Sequence, residues 1–179
     1  MSRPLWSLSP RRFALSVLTL LVVATSVVVF QANPVGAEGP RQRLKAATAR
    51  YQHVSRALAD GFVPTEECVE LPGVGGMGLH YVNPERLQDG VVDPLRPDIL
   101  LYAKEGRRLR LVGVEWIAVD PDQNLATDAG RPELFGQPFD GPMPGHFPGM
   151  PIHFDLHAWI WKHNPAGTFA PWNPRVTCD

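Results

Sequence analysis

The chain has 179 residues, with 17 Lys plus Arg against 18 Asp plus Glu and only two cysteines. Arg3, Arg11 and Arg12 precede the first acidic residue, Glu38, so the part after residue 37 carries 14 basic side chains against 18 acidic ones. Such a mildly acidic body lacks the basic stripe that tracks phosphates, which argues against nucleic acid as a partner. Its roughly 140 residues suit one domain that buries its own core.

In chain order, the first segment reads MSRPLWSLSPRRFALSVLTLLVVATSVVVFQANPVGA: a basic start, an apolar or small run from Ala14 to Phe30, and a small-residue stop at Val35-Gly36-Ala37. This is the layout of a secretory signal peptide cleaved after Ala37. The alternative is an uncleaved single-pass anchor, because the run falls slightly short of the roughly 20 residues that span a bilayer. Residues 38–179 are then expected as one extracytoplasmic domain, secreted or held in the periplasm or cell-wall space, touching a membrane only through an uncleaved N-terminal segment. In an oxidising compartment Cys68 and Cys178 are expected to form a disulfide that ties the C-terminus to the body.

From Pro40 to Asp60 apolar residues recur at Leu44, Ala47, Tyr51, Val54 and Leu58, the spacing of one helical face, with Gly61 as the stop. His53 lies beside that stripe and reads as a solvated helix residue. Beyond it the period changes to two: "MGLHYVN" (77–83), "DILLYA" (98–103), "RLRLVGVEWIAV" (108–119) and "IHFDLHAWIWK" (152–162) read as strands, with "NPERLQDG" as a helical turn. "KEGR" joins the second and third as a hairpin. "NPAG" after the fourth is a type I turn, with "TFAPW" returning alongside. The expectation is an α+β domain: an antiparallel sheet of about four to six strands with the N-terminal helix packed on one face.

The stretch 120–151 has neither period, and intersperses Gly130, Gly136, Gly141, Gly145 and Gly149 with Pro132, Pro138, Pro142, Pro144, Pro148 and Pro151. Loops beyond roughly 15 residues are uncommon in compact domains unless they cover something. Its Leu134, Phe135, Phe139, Met143, Phe147 and Met150 predict an ordered cover over the sheet rather than a solvated linker.

The segments "GMGLHYVNP", "LVGVEW", "FGQPFDGPMPGHFPGMPIHFDLHAWIWKHNPAG" and "FAPWNPRVTC" resemble a family of exported bacterial proteins known as hypothetical proteins, with no established activity. The resemblance covers nearly all of 38–179. It implies export and a single domain, and it supplies no chemistry.

Elimination narrows the chemistry. After residue 37 the only serine is Ser55, in the predicted helix and outside any strand-to-helix nucleophile elbow. Pairing Cys68 with Cys178 removes the thiol nucleophile. "GVGGMG" (73–78) matches a dinucleotide spacing but lacks the strand-loop-helix unit around it, and reads as a flexible turn.

The histidines carry more. Five of six, His80, His146, His153, His157 and His163, fall in the sheet-and-cover part. Alternation in the last strand puts Ile152, Phe154, Leu156, Ala158 and Ile160 on a core face and His153, Asp155, His157, Trp159 and Trp161 on the other. Residues two apart on one strand face are about 6.6 Å apart and can share an ion, whereas His153 and His157 are about 13 Å apart and cannot. Asp155 can join either one.

His80, Glu115 and His146 are the candidates to complete a site. Glu115 is expected on the same face as Leu109, Leu111, Ile117 and Val119, where an ionised carboxylate needs a partner. The leading candidates for a metal site are therefore His80, Glu115, His153 and Asp155, with His146 and His157 as alternates. Such a set suits zinc, iron or manganese in preference to copper, and an open position would permit hydrolytic or oxygen chemistry. Met143, His146, Met150 and His153 suggest a second version suited to Cu(I), although methionine more often fills core gaps.

Two readings compete with a metal. In one the cluster is structural, with His153 and His157 bonded to Asp155 or to loop carbonyls and Glu115 paired with Arg108 or Arg110. In the other the protein is a non-catalytic module that binds a small molecule, such as a sugar or aromatic compound, on Trp159, Trp161 and Trp172.

Overall fold

Pro40 occupies the first turn of α1 (Pro40–Thr48), where its missing N–H forfeits no hydrogen bond. These are the opening residues of a computed structural model that describes residues 39–178; the signal peptide or anchor expected over 1–37 lies outside the described residues. The predicted single helix is broken. The Thr48 hydroxyl donates back to the Leu44 carbonyl (2.9 Å), the chain tightens into a 3₁₀ turn at Ala49–Gln52, and an extended His53 (φ −99°, ψ 106°) restarts it as α2 (Val54–Ala59). The break rotates the buried face. Leu44, Thr48, Tyr51 and Ala57 point inward, whereas Ala47 and Leu58 of the predicted stripe are exposed.

The strands are β1 (Val63–Leu71), β2 (Gly75–Val82), β3 (Ile99–Glu105), β4 (Arg108–Val119), a two-residue pair β5 (Glu133–Leu134) and β6 (Gln137–Pro138), β7 (Asp140–Met143) and β8 (His153–Ala158). A short α3 (Pro84–Asp89), capped by the Asn83 side chain on the Glu85 and Arg86 amides, links β2 to the approach to β3. The main sheet is antiparallel throughout, in the order β1-β2-β3-β4-β8-β7, so the expected α+β architecture holds.

Three details depart from the sequence reading. β1 was not expected, because "VPTEECVEL" has no clean alternation; its register breaks between Pro64 and Cys68, as an edge strand tolerates. β8 ends at Ala158 rather than Lys162, since the amides of Trp161 and Lys162 leave the ladder for the Val112 carbonyl (3.2 and 3.0 Å). The stretch 120–151 is partly sheet: it supplies the β5–β6 pair and the edge strand β7, and its Phe139 is buried.

One face of the sheet carries the helices. Leu44, Tyr51, Ala57 and Phe62 pack there on Tyr81, Leu100, Tyr102, Val114, Trp116, Phe154 and Leu156. Polar bonds fix the orientation: the Tyr102 hydroxyl donates to the Tyr51 carbonyl (2.6 Å) and the Trp161 indole to the Thr48 hydroxyl (3.2 Å). The opposite face has a smaller apolar cluster of Ile99, Leu101, Ala103, Val112, Trp159 and Val176.

Val176 reaches that face because the C-terminal segment lies across β2. Asn173 exchanges both backbone bonds with Gly76 (3.1 Å each), and a Cβ on Gly76 would stand 2.7 Å from the Val176 carbonyl oxygen. The Cys68–Cys178 disulfide, with Cα atoms 5.6 Å apart, closes this arrangement. A bond across 110 residues contributes on the order of 4 kcal/mol through loop entropy. Cys178→Ser is accordingly expected to lower Tm by about 10 °C; an unchanged melting curve would show that the C-terminal segment holds without it.

Asp98 gives a second prediction. It is buried beside β4, accepts a bond from the Ile117 amide (2.9 Å), and leaves its Oδ1 without a partner. Burial, reinforced by the charges of Asp89 and Glu115, pushes its pKa up to about 6 against the opposing Ile117 N–H and Arg86. The folded protein thus keeps a proton that the unfolded chain releases near 3.8, and that stabilisation is lost as pH rises from about 4 to about 6. Asp98→Asn keeps the acceptor for Ile117, so it should flatten the pH dependence and add roughly 1–3 kcal/mol at pH 7. Urea titrations of both proteins across that range would detect it; a less stable variant at pH 7 would mean that the charge is compensated.

Candidate functional site

An extra residue in β4 builds the site. Leu101 pairs with Gly113 and Tyr102 with Leu111, which leaves Val112 unpaired as a β-bulge. On either side of it the alternation changes phase. Leu109 and Leu111 join the helix-side core with Val114, Trp116 and Ala118, while Glu115 and Ile117 turn to the opposite face. The expectation that Glu115 shares a face with Leu109 and Leu111 is therefore corrected; it shares one with Ile117 and Val119.

Across β4, Glu115 is the register partner of His157 and Ile117 that of Asp155. On the other side, Glu115 lies opposite Ile99 and His80 opposite Leu101, so His80 reaches across β3 toward Glu115. The result is a polar row over four strands. His80 Nε2 lies 3.4 Å from Glu115 Oε2, His157 Nε2 lies 3.7 Å from the same oxygen, and His157 Nδ1 lies 3.8 Å from Asp155 Oδ1.

These are proximities rather than hydrogen bonds. Glu115 Oε2, Asp155 Oδ1, both ring nitrogens of His157 and Nε2 of His153 are buried without a partner, five of the seven such side-chain atoms among the described residues. Buried polar groups are normally satisfied, so this concentration calls for a ligand or an explanation. Neither Arg108 nor Arg110 pairs with Glu115; Arg110 instead faces Glu105.

The electrostatics match the geometry. Burial alone would raise the Glu115 pKa, but the neighbouring charges of His157 and His80 outweigh it and hold the carboxyl below its ordinary value. Burial lowers the His157 pKa, opposed by Glu115. Asp155 is pushed up to about 8 by burial and then by the negative charges of Glu115 and Asp140, its partner on β7. Burial likewise lowers the His153 pKa.

Among the described residues, one His, Cys, Asp and Glu group brings its ligand atoms within metal range: His80, Glu115 and His157, mutually within 4.8 Å. Ligand atoms of a tetrahedral zinc site stand about 3.3 Å apart. The two histidine-to-Glu115 distances of 3.4 and 3.7 Å need only a few tenths of an ångström of adjustment. Asp155 lies behind His157, on the ring nitrogen that faces away from Glu115, where carboxylates orient metal-binding imidazoles.

The other candidates lie elsewhere. His153 is not in this group; it is fully buried two residues beyond Asp155, with Nδ1 bonded to the Pro151 carbonyl (3.2 Å). His146 is exposed on the loop before β8, its ring 4.8 Å from that of His153. The tryptophans do not converge. Trp159 is buried in the second cluster with its indole donating to the Ala170 carbonyl, Trp161 packs on the helix side, and the Trp172 carbonyl accepts from Asn164. A shallow depression of about 480 Å³ is lined by Trp159, Ile160, Thr168 and residues of α1, without Trp161 or Trp172. Asp140 was missed by sequence reasoning because nothing in "FDGPMPG" announces an edge strand.

No protein-family profile, curated protein or solved structure matches the chain. The disulfide fits an oxidising, extracytoplasmic setting. No helix among the described residues is long and apolar enough to cross a membrane.

Proposed function

We propose that this is an exported metal-binding protein in which His80, Glu115 and His157 hold one divalent transition ion, with residues 1–37 as the export signal. One observation carries the reading: three ligand atoms converge on a spot where Glu115 and His157 are buried and lack hydrogen-bond partners. A buried, unpaired cluster of this kind has a high cost unless something binds it. Two imidazoles and one carboxylate suit zinc, iron or manganese.

Asp155 orients His157 in this reading and does not ligate. Three protein ligands leave at least one coordination position for water or a substrate atom. That position is approached from His80, whose side chain is 13 % exposed against 4 % for Glu115 and 1 % for His157. Sub-stoichiometric zinc, iron and manganese in exported protein would count against the reading.

The expected result is one ion per chain by elemental analysis, lost in Glu115→Gln and His80→Asn. Asp155→Asn should keep the stoichiometry while weakening affinity by about 10- to 100-fold. Near-ultraviolet circular dichroism of each variant checks that the fold survives. Metal content indifferent to His80 and Glu115 in folded variants would overturn the assignment.

A further inference from the structure

The loop between β7 and β8 brings a different set of ligands together. In register, Met143 on β7 lies opposite His153 on β8, so their side chains share a face of the sheet. The bulge at Gly141-Pro142 makes this alignment: β7 advances three residues, Asp140 to Met143, while β8 advances two, Asp155 to His153. Gly141 is needed there, since it has φ +114° and a Cβ on it would stand 2.9 Å from the His153 carbonyl oxygen.

The loop then closes on itself. The His146 amide donates to Met150 Sδ (3.4 Å), the Met150 amide donates to the Phe147 carbonyl (3.1 Å), and Gly145 packs directly against the Met150 backbone. Met143, His146, Met150 and His153 therefore belong to one neighbourhood on the outer end of the sheet.

Three observations set this group apart from ordinary packing. His153 is fully buried, yet its Nε2 has no partner. Because Nδ1 faces a carbonyl oxygen, which can only accept, Nδ1 carries the proton, and the neutral ring presents a free lone pair at Nε2. Imidazoles sharing one tetrahedral ion have ring centres about 5 Å apart, and those of His146 and His153 are 4.8 Å apart at an interplanar angle of 77°. Finally, neither methionine belongs to either apolar cluster, and both are only half-buried, so gap filling does not account for them.

We propose that His146 and His153, together with the thioethers of Met143 and Met150, form a second and separate metal site that is selective for Cu(I). Thioether ligands are soft and favour Cu(I), whereas zinc and manganese favour the nitrogen and oxygen set around Glu115. The exposed His146 makes the site reachable from solvent, and the buried His153 fixes the other side of the ion. The site needs no metal in the His80–Glu115–His157 cluster.

The test uses exported, disulfide-intact protein titrated with Cu(I), held reduced by ascorbate, in competition with bicinchoninate. One Cu(I) per chain is expected, with sulfur in the first shell by X-ray absorption. His146→Asn and Met150→Leu each change half-exposed or exposed positions and should weaken Cu(I) binding roughly tenfold or more. The double variant Met143→Leu/Met150→Leu should lose the sulfur signal, and Glu115→Gln should retain copper. Failure to hold Cu(I) against the competitor, an affinity unchanged in both single variants, a first shell without sulfur, or copper lost in Glu115→Gln would each overturn the proposal. Zinc content measured on the same samples reports on the first cluster independently.

Discussion

The unpaired Val112 in β4 is the constraint on which the rest of the structure depends. A strand with strict alternation would send Leu109, Leu111 and Glu115 to the same face, and either the core or the carboxylate would be misplaced. One extra residue removes the conflict. Before the bulge β4 feeds the helix-side core through Leu109 and Leu111; after it, Val114 and Trp116 continue that core while Glu115 faces His157. The bulge also supplies a function for its own carbonyl, which accepts the Trp161 and Lys162 amides and so turns the chain away after Ala158. Strand β8 is thereby ended where its polar row has been delivered.

The polar row is costly in the absence of a ligand. Two carboxylates and an imidazole on the inner strands are buried with unpartnered atoms, at a cost of roughly 1–3 kcal/mol for each unsatisfied group. The helix-side core, with Trp116, Tyr102 and the buried Leu100, Phe154 and Leu156 from β3 and β8, is what tolerates this. The disulfide adds stability from another direction, by fastening Val176 and Asn173 over β2 at Gly76. Stability is thus concentrated at the sides of the cluster and the unsatisfied polar atoms at its centre.

Much of this was legible in the sequence for a physical reason. Strands β2, β3, β4 and β8 alternate strongly, and the Cys68–Cys178 pair is what an even cysteine count predicts for an oxidising compartment. What escaped were features set by tertiary context. β1 is polar and irregular, and gains its hydrogen bonds only from β2. The helix break at His53 depends on Thr48 bonding back to Leu44, which competes with an otherwise unbroken apolar period. The bulge at Val112 is invisible to any pattern that assumes fixed phase. For the site, His80, Glu115 and Asp155 were singled out on residue type and spacing, but choosing His157 over His153 required the register of β8 against β4.

The alternation of β8 also lets one short strand present its histidines to two different sets of side chains. His153, Asp155 and His157 share a face, but at about 6.6 Å per pair the outer two cannot meet on one ion. His157 lies opposite Glu115 on an inner strand, where hard oxygen and imidazole donors are buried. His153 lies opposite Met143 on the edge strand, where a glycine-rich loop can carry thioethers and an exposed imidazole to it. Asp155 stands between them, near His157 and across from Asp140, where burial and the charges of Glu115 and Asp140 raise its pKa. Asp155 separates the two histidines along the strand, so the side chains that face each one are set by its own strand partners rather than by the other histidine.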